Sequence, residues 1–142
     1  MARGKYPYQK LSWYPDLSPV EAEIWGRFIE AFPDMYDSVD YCVHIGTIPN
    51  HVRAHPDVAM QKEAPLYQYE IDVVGYKEDQ VDIIELKHWA TMRALGQVIG
   101  YSRLYQRDID PLAEPKKVVI TDRLLPDMDH LAFNMGVQLV VV

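Results

Sequence analysis

Three side chains near the middle of the chain have the types and spacing of a metal-assisted hydrolytic site. Asp72 lies in one β-type run, Leu66 to Tyr76, and Glu85 and Lys87 lie in the next, Val81 to His88. The polar stretch Lys77-Glu78-Asp79-Gln80 joins the two runs. A hairpin turn centred between Glu78 and Asp79 sets Asp72 directly opposite Glu85, with Cβ atoms about 4.5–5.5 Å apart. Two carboxylates that close repel each other unless a cation lies between them. Lys87, two residues beyond Glu85, falls on the same strand face. Carboxylate oxygens are the hard ligands that Mg²⁺ or Mn²⁺ prefers, and the Leu86 carbonyl is adjacent. A metal held there lowers the pKa of bound water and polarises a phosphodiester oxygen. Lys87 would orient the attacking water or stabilise charge on the reacting phosphate.

An acid and a lysine on one strand are common on solvated surfaces. Here the flanking residues Val81, Ile83, Ile84 and Leu86 are all apolar. The strand therefore reads as buried on both faces, and burying Glu85 and Lys87 in it is costly without a partner or a task. Glu70 is read as facing the other side of its strand.

The elements that must position these residues follow from local patterns. Residues 1–17 read as an extended, aromatic-rich arm packed on its own domain or on a partner subunit, and its small basic cluster, Arg3, Lys5 and Lys10, leaves a nucleic-acid contact as the lesser alternative. Residues 18–142 read as one domain. Ser18-Pro19-Val20-Glu21 predicts a helix start, with a Ser cap, Pro at the first helical position and Glu closing a capping box. Val39 to Gly46 predicts a strand. Thr47 to Pro65, with no period and three prolines, predicts a long loop carrying His51, Arg53 and His55. Thr91 to Arg107 predicts a helix, Lys117 to Thr121 a buried strand, Leu125 to Asn134 a helix, and Val137 to Val142 an interior strand. This order makes an α/β fold, a mixed central sheet with helices on both faces.

Asp72, then Glu85-Leu86-Lys87, then a helix carrying Gln97-Val98-Ile99-Gly100-Tyr101, together resemble the PD-(D/E)XK, or restriction-endonuclease-like, nuclease superfamily. The Gln-x-x-x-Tyr element, ten residues after Lys87, is similar to that of the RecB-type and Cas4-type branch. The order of elements resembles the αβββαβ core of the superfamily, with an extra C-terminal helix and strand. The resemblance implies metal-dependent cleavage of DNA or, less often, RNA. It implies Asp72 and Glu85 as metal ligands, with the Leu86 carbonyl beside them, and Lys87 as the catalytic lysine. Gln97 and Tyr101 would position the site or the nucleic-acid backbone. An acid of the first helix often joins the metal site, with Glu21 preferred and Glu23 the alternative. The proline of the family name is absent, since Ile71 precedes Asp72.

The bulk properties suit a domain of this kind. The chain has 142 residues, 49% apolar and 25% charged, enough for one sizeable core. One cysteine, Cys42, excludes an internal disulfide framework. No signal-peptide pattern and no membrane-length apolar run are visible, so a soluble, cytoplasmic protein is expected, in the host cell if the gene is viral. A net charge of −7 argues against a general nucleic-acid binder, but not against an enzyme that meets phosphates through a divalent metal. The expectation is a Mg²⁺- or Mn²⁺-dependent nuclease acting on DNA, guided by structure rather than sequence, with a homodimer or protein partner. Arg53 and the arm are further candidate contacts. The competing readings are a binding or assembly module on the same fold without catalysis, a zinc site from Cys42, His44, His51 and His55, and an unrelated α/β domain in which Asp72, Glu85 and Lys87 do not converge.

Overall fold

The computed structural model describes residues 3–142. In chain order the elements are β1 (Tyr6–Pro7), α1 (Pro19–Ala31), β2 (Ser38–Ile45), α2 (Asn50–Arg53), α3 (Val58–Lys62), a 3₁₀ turn (Ala64–Tyr67), β3 (Tyr69–Lys77), β4 (Gln80–Lys87), α4 (Met92–Asp108), β5 (Lys116–Thr121), α5 (Met128–Asn134) and β6 (Val137–Val141). The six strands form one sheet whose spatial order is the chain order. β1 to β4 are antiparallel, and β5 and β6 extend the sheet in parallel from β4. The sheet is thus mixed, as expected, with the αβββαβ order followed by one further helix and strand. Among the described residues, no helix is long and apolar enough to cross a membrane.

Local chemistry explains the first helix. Ser18 Oγ accepts from the Glu21 amide at 3.2 Å, and Glu21 Oε1 accepts from the Ser18 amide at 2.8 Å. The reciprocal pair satisfies donors that a first helical turn leaves free. The helix buries Ile24, Trp25, Phe28 and Ile29 against one face of the sheet, with Val39, Tyr41, Val73, Ile84, Leu86, Val118 and Ile120. Each fully buried side chain of this size contributes about 1.5–3 kcal/mol. The opposite face carries α4 and α5: Leu95 and Val98 pack with Val119, Met128 and Val137, while Tyr105 packs with Ile45, Ile71, Val74 and Ile83.

Three expectations change, and the expected packing of the arm is found. The segment expected to be a long loop holds α2, α3 and the 3₁₀ turn, so β3 begins at Tyr69 and Leu66 belongs to the turn. β6 is an edge strand beside β5 and not an interior one, with Gln138 and Val141 exposed. Its apolar run reflects the two clusters it touches, through Val137 and Leu139 on one side and Val140 and Val142 on the other. The helix expected from Leu125 starts at Met128, because Leu125-Pro126 form a turn that ends with Asp127 at φ 68°. The arm folds onto its own domain: Tyr14 is buried, Tyr8 packs edge-on against Trp25 and Tyr36, and β1 pairs with β2. Two cations of the arm are held by the domain's acids, Arg3 by Asp110 and Lys10 by Glu30, which leaves little of the basic cluster for a partner.

Candidate active site at the divergence of two strands

The turn Glu78–Asp79 produces the expected register, with Val73 opposite Ile84 and Lys77 opposite Gln80. The backbone ladder stops at Val73–Ile84, and side chains make the next rungs. The Asp72 amide donates to Glu85 Oε1 at 3.2 Å, and the Leu86 amide donates to Asp72 Oδ2 at 2.8 Å. The two acids thus join the strands through side-chain bonds beyond the last backbone rung. Lys87 Nζ lies 3.5 Å from Glu85 Oε2. Since N–H and C=O of one extended residue leave the same strand edge, the Leu86 carbonyl faces the gap that Asp72 occupies.

The other side of Asp72 is irregular too. β2 pairs Tyr41 with Val73 and Val43 with Ile71, but Cys42 and Asp72 between them do not pair. Cys42 has φ 50°, a conformation few non-glycine residues adopt. Its thiol lies 3.7 Å from the Pro15 carbonyl. The packing changes sides at this point: Val73 and Tyr41 join the α1 cluster, whereas Ile71 and Val43 join the α4 cluster. Asp72 therefore sits where two ladders are interrupted and the sheet alternation shifts. From that position it is reachable from both helical layers. Glu70 is exposed and lies beside the Cys42 thiol, which burial and that acid hold above its ordinary pKa.

Electrostatics mark the pair. Burial pushes the Asp72 carboxyl up to about 8; the Glu85 and Glu21 charges add to the rise, and the Leu86 amide and Lys87 oppose it. Burial also raises Glu85, against the pull of Lys87 and of the hydrogen bond from Asp72. Glu85 is only 2% exposed. Two acids this close and this dry favour one retained proton, or a cation in its place. Among the described residues, no three His, Cys, Asp or Glu side chains gather tightly enough to hold a metal. The oxygen set of Asp72, Glu85 and the Leu86 carbonyl nevertheless matches a magnesium-type ion, which takes few carboxylates and completes its shell with water and phosphate.

The remaining expected residues divide. Gln97 and Tyr101 share one groove along α4; burial first, then the charges of Glu85 and Asp72, raise the Tyr101 hydroxyl, against a hydrogen bond with Gln97. Gln97 Oε1 is buried and lacks a hydrogen-bond partner among the described residues. Glu21 is close enough to Asp72 to repel it, yet its carboxylate is engaged in the capping box. Glu23 pairs with Arg27 on the outer surface. Arg53 bonds to Asn50 within α2. The zinc candidates do not converge: His51 packs on Tyr67, and His55 accepts from the Asp57 amide. Arg93, not singled out from the sequence, lines one recess with Lys87 and Gln97. Its signal was present, since it precedes Gln97 by one helical turn.

No family model matches the chain, and no curated protein matches it in sequence. Solved structures do match in fold. A repair endonuclease from Pyrococcus abyssi aligns with a TM-score of 0.54 at 16% identity, over 91% of this chain and 49% of that one. EndoMS in complex with double-stranded DNA aligns with a TM-score of 0.51 at 13% identity, over 93% and 48%. This chain thus spans about half the length of each, and over nearly all of its own length it shares their fold.

Proposed function

We propose that the chain is a divalent-metal-dependent nuclease that hydrolyses phosphodiester bonds of DNA, of the RecB-type branch of the PD-(D/E)XK superfamily. The observation that carries this reading is the pairing of half-buried Asp72 with buried Glu85 at the end of the β3–β4 ladder, with Lys87 on Glu85. The fold shared with two endonucleases, one of them in complex with duplex DNA, supports it. Asp72, Glu85 and the Leu86 carbonyl would hold Mg²⁺ or Mn²⁺, with Glu21 joining if its capping bond is released. The ion would supply Lewis acidity and a water of lowered pKa. Lys87 is placed to orient that water or to meet charge building on the phosphate. The unpartnered Gln97 Oε1 would accept a hydrogen from the same water, which relieves a buried acceptor. Tyr101, beside it, would donate to a phosphate oxygen.

The test is cleavage of single-stranded, duplex and branched DNA with Mn²⁺ or Mg²⁺, beside Asp72→Asn, Glu85→Gln and Lys87→Met. Each variant should lose about 10²-fold or more, in line with removal of one electrostatic contact to a transition state. Wild-type cleavage that persists in all three overturns the site. Wild type that cuts nothing and gains no thermal stability from either metal leaves the assembly-module reading.

A further inference from the structure

The strand that carries the lysine is followed by an exposed aromatic. Trp89 follows Lys87 by two residues, is 43% exposed and has φ 63°. A bulky side chain at positive φ is an outlier, and such outliers cluster at ligand clamps. No core contact explains its exposure. Instead the Arg123 guanidinium lies 4.6 Å from the ring centroid, and the neighbouring His88 ring stands nearly perpendicular, 5.8 Å away. His88 is itself held by Asp122 at 2.7 Å, so the end of β4 is tied to the end of β5, and the platform is positioned by both strands.

The surrounding charge is unusual for this chain. Arg3, Arg27 and Arg107 are paired with acids. Arg53, bonded to Asn50 in α2, and Arg93, Arg103 and Arg123 form no ion pair within 4.0 Å among the described residues, and the last three flank the site: Arg93 beside Lys87 and Gln97, Arg103 on the α4 groove with Tyr101, Arg123 on Trp89. Unpaired arginines beside an exposed ring are the combination that holds single-stranded nucleic acid, with cations along the backbone and an aromatic face for a base.

We infer that Trp89, backed by Arg123, is a stacking platform for an unpaired base next to the scissile phosphate, so that the substrate is DNA with an unpaired nucleotide at the point of cleavage. This rests on the nuclease reading above and narrows it. A fully paired duplex offers no free base face at that position; a single strand or an opened end does.

The experiment measures binding of a labelled 15-nucleotide oligothymidylate and of the corresponding duplex, by fluorescence anisotropy in Ca²⁺. Wild type is compared with Trp89→Asn, which tolerates positive φ, and Trp89→Phe, which keeps a ring. Trp89→Asn should weaken single-strand binding by about 5- to 50-fold, Trp89→Phe by less than about 3-fold, and duplex binding should not change. An oligonucleotide of abasic sites should bind wild type as weakly as the normal strand binds Trp89→Asn. Equal single-strand affinity of wild type and Trp89→Asn, or undiminished binding of the abasic strand, overturns the platform. If wild type still cleaves DNA in Mg²⁺, only the platform falls; if it neither binds nor cleaves any DNA, the nuclease reading falls with it.

Discussion

Asp72 has two occupations, a rung of the sheet and half of a carboxylate pair, and its ionisation connects them. Its folded pKa, about 8, lies above its ordinary value of 3.8. Between those values the folded chain keeps a proton that the unfolded chain has lost. Stability without metal should therefore fall as pH rises from about 4 to about 8, and level off above that. Divalent metal stabilises the ionised pair and should flatten the fall. Melting curves with and without Mg²⁺ check this, with Asp72→Asn as reference: the wild-type minus variant difference should carry the slope, and equal slopes would sink the assignment. Gln97 makes an opposite trade. Its side chain bonds Tyr101 but leaves a buried Oε1 without a partner among the described residues, so leucine there should change stability by no more than about 1 kcal/mol, a few degrees in Tm, while cleavage falls at least tenfold if that oxygen meets the attacking water.

At the scale of elements, α4 carries an unusual feature. Gly96 and Gly100 lie one turn apart on its exposed side, and a Cβ built on either meets nothing within 4 Å. A glycine inside a helix costs about 0.5–1 kcal/mol relative to alanine, so Gly96→Ala and Gly100→Ala should each stabilise the chain by about that amount in urea titrations. If the bare backbone lets a phosphodiester strand approach α4, the same changes should weaken DNA binding. Ser18→Ala should cost about 1 kcal/mol through the lost cap, with Tm the readout. The start of α1 was legible in the sequence because capping is a property of four consecutive residues. The meeting of Asp72 with Glu85 was legible because a two-residue turn sets register. The shift of alternation at Cys42 was not, since it lives in one backbone angle that a cysteine does not announce. The edge position of β6 was hidden for another reason: an apolar run reads alike whether its strand is inside a sheet or ends one and touches cores on both faces. Three prolines suggested an irregular segment before β3, whereas Pro49 and Pro65 sit at helix starts, where a missing amide costs nothing.

For the whole molecule, the formal charge of −7 means that a DNA strand meets repulsion everywhere except near the unpaired arginines and any bound cation. Single-strand affinity should therefore depend only modestly on salt. Neutralising three phosphates gives a logarithmic slope of about −2, and changing Arg93, Arg103 and Arg123 together to glutamine should bring it near zero; a slope several times steeper would point to a larger basic surface. The side-chain rungs between β3 and β4 have a consequence for how such a chain can change over generations. Asp72 and Glu85 answer to two selections, since each closes a hydrogen bond that joins neighbouring strands. Lys87 and Gln97 close none of these bonds. In a descendant relieved of its chemistry, drift should erase the lysine and the glutamine first and leave the acids in place, so a retained acid pair testifies to a sheet before it testifies to an enzyme.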